Sequence, residues 1–143
     1  MNQFGEVTVF NQSTRTAQEA AKALNCDLGQ IAKSIIFKSK SGKPVLVIAS
    51  GRNRVEEKII SEILQEEVNK AEADFVKDKT GSVIGGVPPY GHKEKIMTFI
   101  DEDLKKFERI WAAAGKPNAV FKLTFEELKE RSGGKVVVIS SSK

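Results

Sequence analysis

The chain of 143 residues has one cysteine, one histidine, one tyrosine, one tryptophan and four prolines. The single cysteine, Cys26, excludes an internal disulfide and any multi-cysteine metal site. It follows a predicted helix with Asp27 beside it, a setting that gives no reason for a lowered thiol pKa, so it reads as a small packing residue. One histidine and one cysteine also argue against zinc. No apolar run approaches the ~20 residues that a membrane helix needs. Met1–Val9 has neither the basic n-region nor the apolar h-region of a signal peptide. These absences point to the cytoplasm. No Gly-Lys-Ser/Thr ending completes a phosphate loop, and the glycine pair Gly85-Gly86 does not follow a strand in a βαβ unit. No Ser/His/Asp set is singled out by spacing. The sequence therefore predicts no metal and no cofactor.

What remains is an ordinary globular composition, 40% hydrophobic and 29% charged, at a length that fits one domain with a real core. Lysine and arginine outnumber acids 23 to 19, giving +4. That balance is compatible with a polyanionic partner without being a nucleic-acid signature.

Strands are expected at Val7–Phe10, Ile31–Phe37, Pro44–Ala49, Lys95–Ile100, Arg109–Ala113, Ala119–Leu123 and, at an edge, Val136–Ile139. The nearly unbroken apolar run Pro44–Ala49 predicts a central strand covered on both faces, in a hairpin with Ile31–Phe37. Alanines at helical spacing after Ser13–Thr16 predict a helix to about Asn25 that lies close to a sheet. Asn53 with Glu56, and Thr124 with Glu127, have capping-box spacing ahead of two more helices. The first of these carries Val55, Ile59, Ile60, Ile63 and Leu64 on one face; the second spans Phe125–Arg131. A short helix at Glu72–Thr80 buries Phe75 and Val76, and Asp101 caps another that carries Leu104 and Phe107. The mixture predicts one α/β (α+β) domain over residues 1–143.

Two features are candidates for chemistry. The segment Gly81–His92 holds four glycines, the adjacent Pro88-Pro89, Tyr90 and His92. Glycine permits unusual backbone shapes and proline stiffens them, so its N–H groups could face a carbonyl or oxyanion. The second is Lys33-Ser34 inside the apolar run Ile31–Ile36, where the lysine either snorkels to solvent or enters a cleft. His92 reads as a solvated or hydrogen-bonded loop residue rather than a base. Tyr90 either walls a pocket or packs under the loop. Arg52 and Arg54 flank a helix start and could meet phosphates. Trp111 reads as core. One cation, several backbone donors and no side-chain base suit an ester whose substrate supplies its own nucleophile or activates water.

Three segments in order resemble the YbaK/ProX-type aminoacyl-tRNA editing domain, the family that includes the editing insertion of bacterial prolyl-tRNA synthetases. They are Thr16–Ala21 followed by Gln30–Phe37; Gly81–Gly91 with its Gly85-Gly86-Val87-Pro88-Pro89 core; and Trp111–Gly115 leading into Leu123–Leu128. The resemblance implies a mixed, barrel-like sheet surrounded by helices. It implies a deacylase that hydrolyses the ester of mischarged tRNA, with a small amino acid such as Ala or Cys, often on tRNA(Pro). A non-catalytic tRNA- or synthetase-binding module is the alternative. The implied partners are the aminoacylated 3′ end of tRNA and an aminoacyl-tRNA synthetase. The family's lysine matches Lys33, implied to contact the terminal adenosine or its phosphate. Its glycine loop matches Gly85–Pro89, with Gly85 and Gly86 implied to hold the aminoacyl carbonyl. Ser34, Val87, Pro88, Pro89, Tyr90, His92, Ala113, Gly115 and Arg52 are the implied substrate contacts. Hydrolysis in the family is substrate-assisted, through a tRNA 2′-hydroxyl or a substrate thiol. Cysteine-specific members carry serine near Ala113; the alanine run here argues against a cysteine-specific pocket.

Overall fold

The computed structural model describes residues 4–140; Met1–Gln3, the start of the stretch read for a leader, lie outside them. The strands are β1 (Val7–Val9), β2 (Ile31–Ser39), β3 (Pro44–Ser50), β4 (Val68–Lys70), β5 (Met97–Asp101), β6 (Ile110–Ala113), β7 (Ala119–Leu123) and β8 (Lys135–Val137). The helices are α1 (Ala17–Leu24), α2 (Glu57–Leu64), α3 (Ala73–Thr80) and α4 (Phe125–Ser132). They form a single mixed α/β domain. The sheet runs β1-β7-β6-β2-β3-β5-β8, and β4 pairs with β2 off that path. β2–β6, β3–β5 and β5–β8 are parallel; the other pairs are antiparallel.

The apolar run in β3 has a direct structural reason. Leu46 and Ile48 face one core with Ile36, Ile100, Phe121 and Leu128. Val45, Val47 and Ala49 face a second core with Phe37, Ile60 and Phe99. A strand buried on both faces has no position for a polar alternation. α1 lies close to the sheet through Ala17, Ala20 and Ala21, which pack on Ile31. Its capping box joins Thr16 to Glu19, and α4 is capped by Thr124 and Glu127 as the spacing predicts. No helix among the described residues is long and apolar enough to cross a membrane.

The expected capping box at Asn53 and Glu56 does not form. α2 begins at Glu57, and its N-cap residue Glu56 makes no side-chain cap bond. The Asn53 amide instead donates to Asp101 Oδ2 and Asp103 Oδ2, each at 2.8 Å. Asp101 is buried, and a buried carboxylate must recruit donors. It also accepts the Ser50 N–H at 2.9 Å and, as the cap of the 3₁₀ turn Glu102–Lys106, the Asp103 N–H at 2.9 Å. β4 is a further difference: its three residues bury only Val68, too little for a periodic signal. Phe75 is half-buried, with the Lys38 and Lys79 ammonium groups 5.2 and 5.7 Å from its ring centroid.

Asp101 thus ties β3, the loop after it and β5 together at one end of the sheet. Asp101→Ala leaves the Ser50 and Asp103 N–H groups without an acceptor and the Asn53 amide with Asp103 alone. It is expected to lower stability by about 2–4 kcal/mol in urea unfolding. A loss below about 1 kcal/mol would show that water replaces the carboxylate.

Candidate functional site

The site is built on a break in one edge of β2. The other edge is fully paired with β3. Gly51 N–H donates to the Ile31 carbonyl and Ser39 N–H donates to the Lys43 carbonyl, so the odd-numbered residues of β2 direct their backbone groups toward β3. Ala32, Ser34, Ile36 and Lys38 therefore direct theirs to the opposite edge. There β6 pairs only as far as Ala32, and β4 begins only at Phe37. The Ile36 carbonyl accepts the Ala71 N–H at 3.1 Å. Ser34 lies in the break, and neither its N–H nor its carbonyl meets a backbone partner among the described residues. Its side-chain Oγ is buried and also unpartnered. Buried polar groups almost always find partners, so the orphaned Oγ, beside an N–H and a carbonyl on the same bare edge, marks an unfilled demand.

A cleft of about 290 Å³ opens at this break, a size at the lower end for small-molecule sites. Lys33 and Ser34 form part of its wall with Ala112 and Ala113 of β6 and the first turn of α1. Ile84, Gly85 and Val87 of the glycine loop close the other side. A shallower groove continues from Lys33 past Lys70 to Arg54, Glu56 and Glu57.

Lys33 makes no ion pair among the described residues. Burial holds its ammonium below the ordinary value of 10.5; the like charge of Lys70 adds to this, and Asp101 offsets part of it. None of the residues lining the cleft is Asp, Glu, His or Cys, while Arg15, Lys33 and Lys70 all line it. The arrangement supplies positive charge and backbone donors, without a side-chain base.

The glycine loop is fixed by two close approaches. Gly85 has φ +92°, and a Cβ there would fall on Arg15 Cγ and 2.9 Å from the Arg15 carbonyl oxygen. Only glycine meets both conditions. Arg15 in turn donates from Nε to the Ile84 carbonyl at 3.1 Å. At Gly86 a Cβ would lie 2.9 Å from the Lys116 carbonyl carbon, so the loop presses on the β6–β7 turn. Thr14 joins the same turn, with its N–H and Oγ1 2.8 and 2.9 Å from the Pro117 carbonyl oxygen.

The residues expected at the site separate into two groups. Lys33, Ser34, Gly85, Val87 and Ala113 line the cleft. Gly86, Pro88, Pro89, Tyr90, His92, Gly115 and Arg52 do not. The Gly86 N–H is taken by the Val83 carbonyl at 2.9 Å, whereas the Gly85 N–H has no partner among the described residues. Pro88, Pro89 and Tyr90 are buried beneath the loop. Tyr90 packs edge-on against Phe121 and receives a hydrogen bond from the Arg131 guanidinium at 3.4 Å. His92 donates from Nε2 to the Pro88 carbonyl at 2.9 Å, because a carbonyl can only accept, and burial holds its pKa below the ordinary value. Gly115 turns at φ +101° and accepts from Ser82 Oγ. Arg52 pairs with Asp27 at 2.9 Å on the surface.

Sequence reasoning missed Arg15 and the cleft position of Trp111. Arg15 had no composition signal, since its partner is 69 residues away. Trp111 is half-buried: it packs beside α1 and still lines the cleft. Cys26 packs on the same cluster, with its thiol pKa pushed up by burial and by Asp27.

The chain can now be set beside known proteins. The model of the "Aminoacyl-tRNA editing domain" family matches residues 11–130. Uncharacterized protein YwhH of Bacillus subtilis is 31% identical over 135 residues, 94% of this chain and 86% of that protein. A proline–tRNA ligase of Bacillus licheniformis is 31% identical over 109 residues, 76% of this chain but only 19% of the ligase. A crystal structure of a protein proposed as a trans-editing enzyme for prolyl-tRNA synthetase superimposes with a TM-score of 0.89 at 36% identity, covering 96% of this chain and 87% of the other. The family match spans α1, β2, the glycine loop and β6, all the elements that enclose the cleft, and the chain belongs to the aminoacyl-tRNA editing domain family.

Proposed function

We propose that this chain is a trans-editing deacylase that hydrolyses the ester of a mischarged aminoacyl-tRNA. The observation that carries the proposal is the cleft. It pairs the half-buried cation Lys33 with the unpartnered Gly85 N–H and holds no side-chain base. In this reading Gly85 N–H hydrogen-bonds the ester carbonyl and stabilises the charge that develops on its oxygen. Lys33 meets the phosphate side of the terminal adenosine and orients the ester. Water attacks the carbonyl carbon, the acyl–oxygen bond breaks, and the ribose oxygen leaves with a proton. With no carboxylate or imidazole on the cleft, the neighbouring 2′-hydroxyl or a substrate thiol handles that proton. The alanines at 112 and 113 leave room for a small acyl side chain such as that of alanine, and no hydroxyl at 113 favours cysteine. The likeness to a proposed trans-editing enzyme for prolyl-tRNA synthetase supports tRNA(Pro) as the carrier.

The direct test is ester hydrolysis over a panel of misacylated tRNAs. At least one small-residue ester is expected to be cleaved, and Lys33→Ala to lower kcat/KM by roughly 100-fold, the scale of losing a contact that positions the reacting ester. No cleavage above background for any pair would overturn the proposal.

Lys33 also carries a stability prediction. Its folded pKa lies below 10.5 because burial disfavours the charge. Below the folded value both states are protonated, and the folded state bears the full penalty. As pH rises through the folded value toward 10.5, the folded state sheds its proton first and wild type gains stability. Lys33→Met is therefore expected to raise Tm at pH 7 while lowering activity as Lys33→Ala does, and its advantage to shrink toward pH 10. Equal melting curves at pH 7 would show that the ammonium is solvated.

The groove from Lys33 through Lys70 to Arg54 supports a path for the phosphates that precede the ester. Lys70→Ala and Arg54→Ala are each expected to weaken tRNA binding and to reduce the slope of log affinity against log salt by about one. An unchanged slope in both variants would place the phosphates elsewhere.

A further inference from the structure

The unfilled hydrogen-bonding demand at Ser34 is more specific than a general wall of the cleft. Its carbonyl and N–H lie on the bare edge between β6 and β4, and its Oγ is buried with no partner. The cleft into which this residue opens holds three cations and no carboxylate. A substrate amino group entering it finds no counter-charge. It must be received by neutral oxygens, and Ser34 offers two that nothing among the described residues uses: the carbonyl and Oγ. Thr14, Thr16 and Gln18 also line the cleft; Thr14 Oγ1 donates to the Pro117 carbonyl and Thr16 Oγ1 accepts the Glu19 N–H, whereas Ser34 carries a buried side-chain oxygen with no partner among the described residues.

We propose that Ser34 is the specificity-determining residue for the α-amino group of the substrate, receiving its N–H donors on the backbone carbonyl and the side-chain oxygen. This rests on the deacylase reading above and deepens it. The cleft then selects α-amino acyl esters over acyl esters that lack the amino group. A site with buried acceptors rejects an analogue lacking the donor, because those acceptors are left unpaired. The bare edge also explains why β6 stops pairing at Ala32: continued pairing would give the Ser34 N–H a protein partner and close the cleft.

The test compares two esters on the same tRNA: the aminoacyl ester cleaved fastest in the panel, and its desamino counterpart with hydrogen in place of the amino group. Each rate is divided by the spontaneous hydrolysis rate of that ester, which removes the intrinsic effect of the amino group. Wild type is expected to prefer the amino ester by at least about tenfold after this correction. Ser34→Ala is expected to lower kcat/KM on the amino ester by about tenfold, while its rate on the desamino ester stays within about twofold. Ser34→Thr keeps the hydroxyl and is expected to restore most of the preference. A merely structural role for Ser34 would lower both rates together, and that result overturns the inference. So does a wild-type enzyme that cleaves both esters equally. If neither ester of any panel member is cleaved, the deacylase reading itself falls.

Discussion

The structure depends on one strand having two different neighbours along the same edge. β2 is paired along its length with β3, and that hairpin supplies the middle of the sheet. On its other edge β6 takes the first residues in parallel, and β4 takes the last in antiparallel. Parallel and antiparallel ladders differ in hydrogen-bond spacing and direction, and here the two leave a stretch of β2 unpaired between them. An unpaired stretch inside a sheet is normally a liability, because bare backbone groups out of water are costly. Here the break opens into a cleft walled by alanines, by Trp111 and by three cations, with the glycine loop on its far side.

The loop's role follows from how it is held. Gly85 sits against the backbone of Arg15, and Gly86 against the turn between β6 and β7. Arg15 belongs to the entry of α1, and Thr14 is bonded to that same turn. Three segments distant in sequence therefore fix one another, and the Gly85 N–H is left over as a consequence of the packing. Tyr90, Pro88 and Pro89 work from below. They are buried in the core and give the loop its floor. His92 ties the end of the loop to Pro88. Tyr90 and His92, whose types look chemical, are spent on support, while Lys33, Ser34 and Gly85 line the cleft.

This division explains what was legible in the sequence. The buried hairpin strand and the Thr124–Glu127 cap depend on residues near in sequence, and each was readable from local pattern. The family resemblance joined Lys33 to the glycine loop. Asn53 was misread because its amide answers a carboxylate 48 residues away, a partner no local spacing can reveal. β4 was invisible because three residues carry no period. Within the loop, composition pointed to backbone donors but could not say which: Gly86 is engaged by Val83 and Gly85 is not, a difference made by tertiary contact. Ser34 was named beside Lys33, yet its unpaired edge depends on where β6 stops and β4 starts.

The electrostatics of the cleft complete the argument. A half-buried lysine with no ion-pair partner among the described residues is destabilising, and Lys70 nearby deepens that penalty. An acid placed on the cleft would relieve it and would also neutralise the positive charge that Arg15, Lys33 and Lys70 bring there. The chain keeps Asp101 close enough to moderate Lys33 through space, but commits its oxygens to Ser50, Asn53 and Asp103. The carboxylate stabilises the sheet end without entering the cleft. In the deacylase proposed above, a site so arranged would take an anion at its mouth, a carbonyl at Gly85 and hydrogen-bond donors at Ser34, and would leave the proton chemistry to the hydroxyl or thiol that the ligand brings. Under that proposal these are contacts that an aminoacyl ester at the end of a polynucleotide presents together, whereas an unacylated nucleotide brings neither the acyl carbonyl nor the α-amino group.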